Sequence, residues 1–222
     1  MIPSVTTILG VFRKPALERW KMRGIAEAAF ENPPKDKETR EDFISRCLTE
    51  QSKPSKEAAD FGTKIHDAIE DHLNGKKIST VHMEYIKPAI EWKKEKQLDF
   101  LERETTLVNP KQGFAGRVDI VSRGPQGQMG IVDWKTKKTK EGEKIHPYDF
   151  QIHQIAAYGA TYWGEEAMES GQVFGANCFI SSTEVGRFEV ISYKPTDLAR
   201  AWEVFKMACA IWRSIKNHDP RD

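Results

Sequence analysis

Asp133 and Lys135 stand two residues apart in "GIVDWKTKK" (130–138), where an apolar run meets an acid, an aromatic and a base. Side chains alternate faces along a strand, so Asp133 and Lys135 project to one side and Trp134 to the other. One strand earlier, Asp119 in "GFAGRVDIV" is spaced so that a hairpin can bring it beside Asp133. Two carboxylates held together repel each other unless a cation neutralises them, and carboxylate oxygens are what Mg²⁺ prefers. A nearby ammonium can position or polarise a water, or stabilise charge developing on a phosphate. The same residues could instead form a cross-strand ion-pair network on a solvated hairpin, because short charge patterns have many accidental matches.

Further residues join this set. "FGTKIHDAIE" puts His66 on a helix, with Gly62 one turn before it and Glu70 one turn after, on a face apart from that of Phe61, Ile65 and Ile69. An imidazole there is a surface group or a ligand for a transition metal. "QIHQIAAYGATYW" sets Gln154 and Tyr158 four apart on one helical face. That pair is poor core material but suits a phosphate or sugar oxygen and a stacked base. Glu104, on the strand before the hairpin, reads first as a solvated strand position and second as another acid for the site, as Glu70 is on its helix.

The elements that must hold these groups are helical first and mixed afterwards. Pro15 can open a helix to about Phe30, with Leu17, Trp20 and Ile25 inward. A second helix is predicted from about Glu38 to Glu50, and a third across "PSKEAADFGTKIHDAIEDHLNG", where Phe61, Ile65, Ile69 and Leu73 recur and Asn74-Gly75 ends it. A fourth, about Val81 to Gln97, contains Pro88 and should kink there. Strands follow at about Phe100–Val108, Gly113–Ser122 and Met129–Thr136, the last two joined by the turn "RGPQGQ". A helix from about Pro147 to Trp163, strands at about Gln172–Ser181 and Arg187–Tyr193, and a helix from about Thr196 to Lys216 complete the order. The last carries Leu198, Ala201, Trp202, Phe205, Cys209, Trp212 and Ile215 on one apolar stripe. The expected fold is α/β (α+β): one domain, with a mainly helical part (1–98) and a mixed sheet of about five strands flanked by helices (99–222).

Composition narrows the class. With 222 residues, 39% hydrophobic and 30% charged, the chain can bury a substantial core, and no apolar run approaches the length of a membrane helix. "MIPSVTTILGVF" lacks a basic n-region and a cleavage site, so no secretion signal is expected. Cys47, Cys178 and Cys209 are odd in number and scattered, which suits a reducing compartment and argues against a disulfide frame or a four-cysteine iron–sulfur cluster. Net charge is +1, but Arg13, Lys14, Arg19, Lys21 and Arg23 cluster near the start, and Lys135, Lys137, Lys138, Lys140 and Lys144 after the hairpin. Such patches can bind phosphates, although charge runs are more often plain solvated surface.

Taken in order, Gly62-Thr63-Lys64-Ile65-His66, Gly116-Arg117-Val118-Asp119, Asp133-Trp134-Lys135 and Gln154 to Tyr158 follow a "GTxxH", "GxxD", "DxK", "QxxxY" series. Each motif is weak alone; the series resembles the RecB-like branch of the PD-(D/E)XK nuclease superfamily. "PSVTTIL" near the start is similar to the opening of its compact phage-type and mitochondrial genome maintenance exonucleases. The resemblance implies a restriction-endonuclease-like core and a metal-dependent DNA exonuclease, acting on single-stranded DNA in recombination, repair or replication. Asp119, Asp133, His66 and the main-chain carbonyl of Trp134 would hold one or two Mg²⁺ or Mn²⁺ ions, with no iron–sulfur cluster. Lys135 would orient the attacking water, and cleavage would leave a 5′-phosphate. Gln154, Tyr158, Thr136 and Ser4 (or Thr6) would engage the DNA. A recombination or single-strand-binding protein is the partner class implied, with no membrane. The expected location is a bacterial or phage-infected cytoplasm, or the mitochondrial matrix had a transit peptide been removed. Val118 stands where the superfamily's name has proline. A structure-selective endonuclease and a non-catalytic DNA-binding recombination partner are the competing readings.

Overall fold

The computed structural model describes residues 1–221. Its elements run α1 (Val5–Leu9), α2 (Pro15–Glu31), α3 (Arg40–Leu73), α4 (Thr80–Glu95), β1 (Asp99–Asn109), β2 (Phe114–Arg123), β3 (Met129–Lys137), α5 (Gln151–Trp163), α6 (Glu165–Glu169), β4 (Val173–Ser181), β5 (Phe188–Tyr193) and α7 (Pro195–Lys216). The strands form one sheet in sequence order. β1, β2 and β3 are an antiparallel meander, β4 runs parallel to β3, and β5 returns antiparallel to β4. A parallel neighbour needs a crossover, and α5 with α6 supplies it. This is the expected mixed sheet flanked by helices.

Both faces of the sheet are covered. On one, Val118, Val121 and Ile131 pack with Ile155 of α5 and with Leu198, Trp202 and Phe205 of α7. Phe114 meets Phe205 edge-on at 5.0 Å between ring centroids. On the other face Trp134 lies edge-on to Trp92 of α4 and to Phe100, each at 6.3 Å. β3 is therefore buried on both sides, which is why its run of buried residues does not alternate.

Contacts divide the chain into two compact units: Met1–Phe12 with the chain from Ile65 onward, and Arg13–Lys64. In the second, Arg46 ties the connection between α2 and α3, pairing with both oxygens of Glu38 at 2.8 Å and donating to the carbonyls of Asn32 and Pro33 at 3.2 Å.

The structure corrects several sequence expectations. The helices expected at 38–50 and from Pro54 onward are one, α3, with Pro54 inside it. Hydroxyls of Thr49 and Ser52 bond helix carbonyls nearby, and the flanking Glu, Lys and Ala residues are good helix formers. Leu17 and Trp20 are exposed rather than inward, and so is Ile215 on α7. α5 begins at Gln151, not Pro147, because Phe150 adopts a left-handed conformation (φ 70°) and stacks on Phe12 at 4.6 Å. The short helices α1 and α6 were not anticipated. α1 lies in the core, with Val5, Ile8 and Leu9 buried, and its chain runs beside β2 through the Ala115 N–H to Pro3 carbonyl bond at 2.9 Å.

Gly116, the glycine of the "GxxD" stretch, is where α5 and α1 close on β2. A Cβ there would lie 2.7 Å from Cε1 of Tyr158 and 3.1 Å from Cγ2 of Val5. Gly116→Ala should therefore destabilise the fold by about 1–3 kcal/mol through overpacking. Urea denaturation checks this, and an unchanged midpoint would show that Tyr158 does not press on β2.

Candidate active site

The pairing of β2 with β3 runs from Arg123–Met129 to Ile120–Val132 and ends there. One step further, Asp119 would face Asp133. Instead the Asp119 carboxylate accepts the N–H of Trp134 at 2.7 Å. β3 itself continues, its other edge paired with β4 as far as Lys137–Ser181. β2 turns at this point: Val118 and Val121 share one core cluster, although a separation of three puts residues of a regular strand on opposite faces. Across from Asp119, between the Arg103–Ile120 and Thr105–Val118 pairs, Glu104 of β1 has a left-handed backbone (φ 47°).

Both backbone groups of Trp134 that face the gap are held, its N–H by Asp119 and its carbonyl by His66. His66 Nε2 lies 3.1 Å from the Trp134 carbonyl, so the tautomer protonated there donates to it. The other ring nitrogen is 3.6 Å from a Glu104 oxygen and 3.8 Å from Asp119 Oδ2. Glu104 is paired in turn with Arg117 at 2.8 Å. Asp133 is 1% exposed. Its Oδ2 takes Lys135 Nζ at 2.6 Å and Asn177 Nδ2 at 2.6 Å, while Oδ1 is buried without a hydrogen-bond partner.

Crowding of buried acids sets the protonation. Burial, then repulsion from Asp133, pushes the Asp119 carboxyl up to about 7. For His66, burial favours the neutral ring, but the Glu104 hydrogen bond and the Asp119 and Glu104 charges outweigh it and raise its pKa. Lys135 is likewise disfavoured as a cation by burial, yet Asp133 and Asp119 raise its pKa above the usual value. It is an ammonium at neutral pH, suited to donate hydrogen bonds and charge rather than to accept a proton.

A divalent cation fits this donor set. His66, Glu104 and Asp119 offer ligand atoms all within 4.8 Å of one another. The unpartnered Asp133 oxygen and the Trp134 carbonyl add two further oxygens. A carboxyl pushed up to about 7 beside another acid, as Asp119 is, is what a bound cation relieves, and carboxylate and carbonyl oxygens with one imidazole are ligands for a divalent metal.

The remaining expectations fare unevenly. Glu104, first read as a solvated strand position, instead turns its carboxylate into the cluster, because its left-handed backbone faces it across to Asp119. Glu70 lines the cleft beside His66, Glu104, Asp119 and Trp134 but lies outside the three-residue cluster. Gln154 donates to the Tyr158 hydroxyl at 3.2 Å. The Tyr158 ring is only 3% exposed, however, and burial pushes its phenol up to about 12. Packed against Gly116, it offers no face to a stacked base, which corrects that reading. Thr136 is half-buried on β3 beyond Lys135. The Ser4 hydroxyl caps α1 by accepting the Thr7 N–H at 3.0 Å. Asn177 was missed: nothing in the sequence showed that β4 would lie parallel to β3 with Asn177 beside Asp133.

The sequence profile of the PD-(D/E)XK nuclease superfamily matches residues 24–220, and the chain belongs to that superfamily, whose members are nucleases that use divalent metals. No curated protein matches. Among solved structures the chain is similar to the crystal structure of SSO0001, with 15% identity over 86% of this chain and 85% of that one and a TM-score of 0.36.

Cation binding at this site must displace protons. With the Asp119 carboxyl at about 7 and His66 raised, Mn²⁺ affinity should tighten at least about tenfold from pH 6 to pH 8, with proton release in calorimetry. Affinity independent of pH would contradict the site. Without metal, both groups bind protons more tightly folded than unfolded, so stability falls as pH rises from 4 toward 7 and through the raised His66 value. Asp119→Asn should flatten the lower part of that decline in melting experiments; an unaltered slope would show that Asp119 does not hold the proton.

Proposed function

We propose that this PD-(D/E)XK nuclease is a metal-dependent DNA exonuclease that hydrolyses phosphodiester bonds from the ends of single-stranded DNA, serving recombination, repair or replication. The observation that carries the reading is that Asp119 and His66 hold the Trp134 backbone, with the Asp133–Lys135 pair on either side of that residue, where the β2–β3 ladder ends. The likeness of "PSVTTIL" to compact exonucleases of the RecB-like branch supports the exonuclease assignment, and this segment runs along β2 toward Gly116.

Asp119 and Asp133, with His66 and the Trp134 carbonyl, hold one or two Mg²⁺ or Mn²⁺ ions, and the imidazole favours Mn²⁺. When bound, such an ion lowers the pKa of a coordinated water and neutralises charge on the phosphate. Lys135, fixed against Asp133 at 2.6 Å, retains N–H donors to orient the attacking water and to meet charge developing on the phosphate oxygens. Asp119 engages the Trp134 N–H, and because the N–H and C=O of one strand residue face the same edge, the Trp134 carbonyl is turned to that same side, where His66 meets it. Gln154 and Tyr158 brace the floor of the site from α5. Thr136, on β3 just past Lys135, and Ser4, in the segment that pairs with Ala115 of β2, contact the DNA backbone. Water attack on phosphorus with departure of the 3′-oxygen leaves a 5′-phosphate. The protein works in a bacterial or phage-infected cytoplasm beside a recombination or single-strand-binding partner.

Purified protein with Mg²⁺ or Mn²⁺, given linear and circular single strands, tests this. Linear DNA should be degraded and the circle spared; cutting of the circle would make the enzyme an endonuclease, and binding without cleavage a non-catalytic partner. Lys135→Ala should lower the rate about 100- to 1,000-fold. It should also destabilise the metal-free protein, because a buried carboxylate loses its counter-charge. Full activity in that variant would remove Lys135 from the chemistry.

A further inference from the structure

Asp133 is aimed by a chain of hydrogen bonds that crosses three strands. Parallel pairing sets Asn177 directly beside Asp133, and antiparallel pairing sets Asn177 opposite Ile191, two residues from Tyr193 on the same face. Asn177 is 0% exposed. Its amide nitrogen donates to Asp133 Oδ2 at 2.6 Å, and its oxygen accepts the Tyr193 hydroxyl at 2.6 Å. A carboxylate only accepts and a phenol can donate, so these two neighbours together dictate which way the amide points.

The consequence falls on the carboxylate. Rotation about the last torsion of an aspartate is soft, and one lysine contact does not fix it. With Asn177 and Lys135 both on Oδ2, the group is locked and Oδ1 is left buried and unpartnered. Without the amide, the carboxylate can turn and Lys135 can span both oxygens, taking up the lone pairs a cation needs. We infer that Asn177, oriented by Tyr193, is a positioning residue that reserves Asp133 Oδ1 for the divalent ion and keeps Lys135 on the opposite oxygen. The inference rests on the nuclease reading above and goes beyond its motif residues.

Wild type, Asn177→Ala and Tyr193→Phe are compared by calorimetric titration with Mn²⁺ alone, by cleavage of linear single-stranded DNA at saturating Mn²⁺, and by melting of the metal-free proteins. Asn177→Ala should weaken Mn²⁺ binding about 10- to 100-fold and lower kcat, with KM for DNA unchanged. Tyr193→Phe should shift both in the same direction and by less. A merely structural role would lower the melting temperature and leave Mn²⁺ affinity and kcat at wild-type values, which would overturn the inference. If Asn177→Ala does not fold, Tyr193→Phe decides alone, and wild-type Mn²⁺ affinity in it is the contrary result. A wild type that neither binds Mn²⁺ nor cleaves would bring down the nuclease reading and this inference together; an active wild type with indifferent variants would bring down only the inference.

Discussion

A strand that stops pairing inside a sheet leaves backbone N–H and C=O groups that must find other partners. β3 is in that position after Val132: it keeps β4 on one edge and loses β2 on the other. The Trp134 N–H goes to the Asp119 carboxylate and the Trp134 carbonyl to His66, so the gap is closed by side chains able to bind a cation. The ladder's ending is thus the geometric origin of the site. The turn of β2 at Asp119 and the left-handed Glu104 opposite it belong to the same distortion.

Such a site sits at an energetic disadvantage. Two carboxylates, one of them 1% exposed, are kept near each other with one lysine for company. Buried charge is costly unless paired, and strained or under-paired groups persist only where the surroundings over-determine them. Here β3 is clamped between α4 and α5, its parallel partner β4 is buried nearly throughout, and the Trp134 ring is held by Trp92 and Phe100. The extra proton on Asp119 and the raised values of His66 and Lys135 express one condition, a local shortage of positive charge that a divalent ion supplies.

Much of this was legible in the sequence, because the relevant rules are local. Alternation put Asp133 and Lys135 on one face and Trp134 on the other, and the turn at 123–128 set the hairpin that brings Asp119 near. The strands fell within one residue of their expected bounds, since β-branched runs between glycine-rich turns leave little freedom. What escaped was non-local or conformational. Glu104 was legible only as the second of two readings, because its turn into the cluster depends on a backbone angle that its type does not announce. Asn177 joins only through parallel register, which no short-range pattern encodes. Pro54 misled because helix propensity around it outweighed one missing hydrogen bond, and Tyr158, read by its polar hydroxyl, is placed by its buried ring.

The central claim is that the broken β2–β3 ladder is a divalent-cation site, and crystals soaked in Mn²⁺ and measured for anomalous scattering test it most directly. The account predicts a peak in coordination range, about 2.0–2.2 Å, of carboxylate oxygens from both Asp119 and Asp133, with the Trp134 carbonyl or His66 beside it. A saturating soak with no peak there, or a peak held by Glu104 and Glu70 with Asp133 bound only to Lys135 and Asn177, would contradict it.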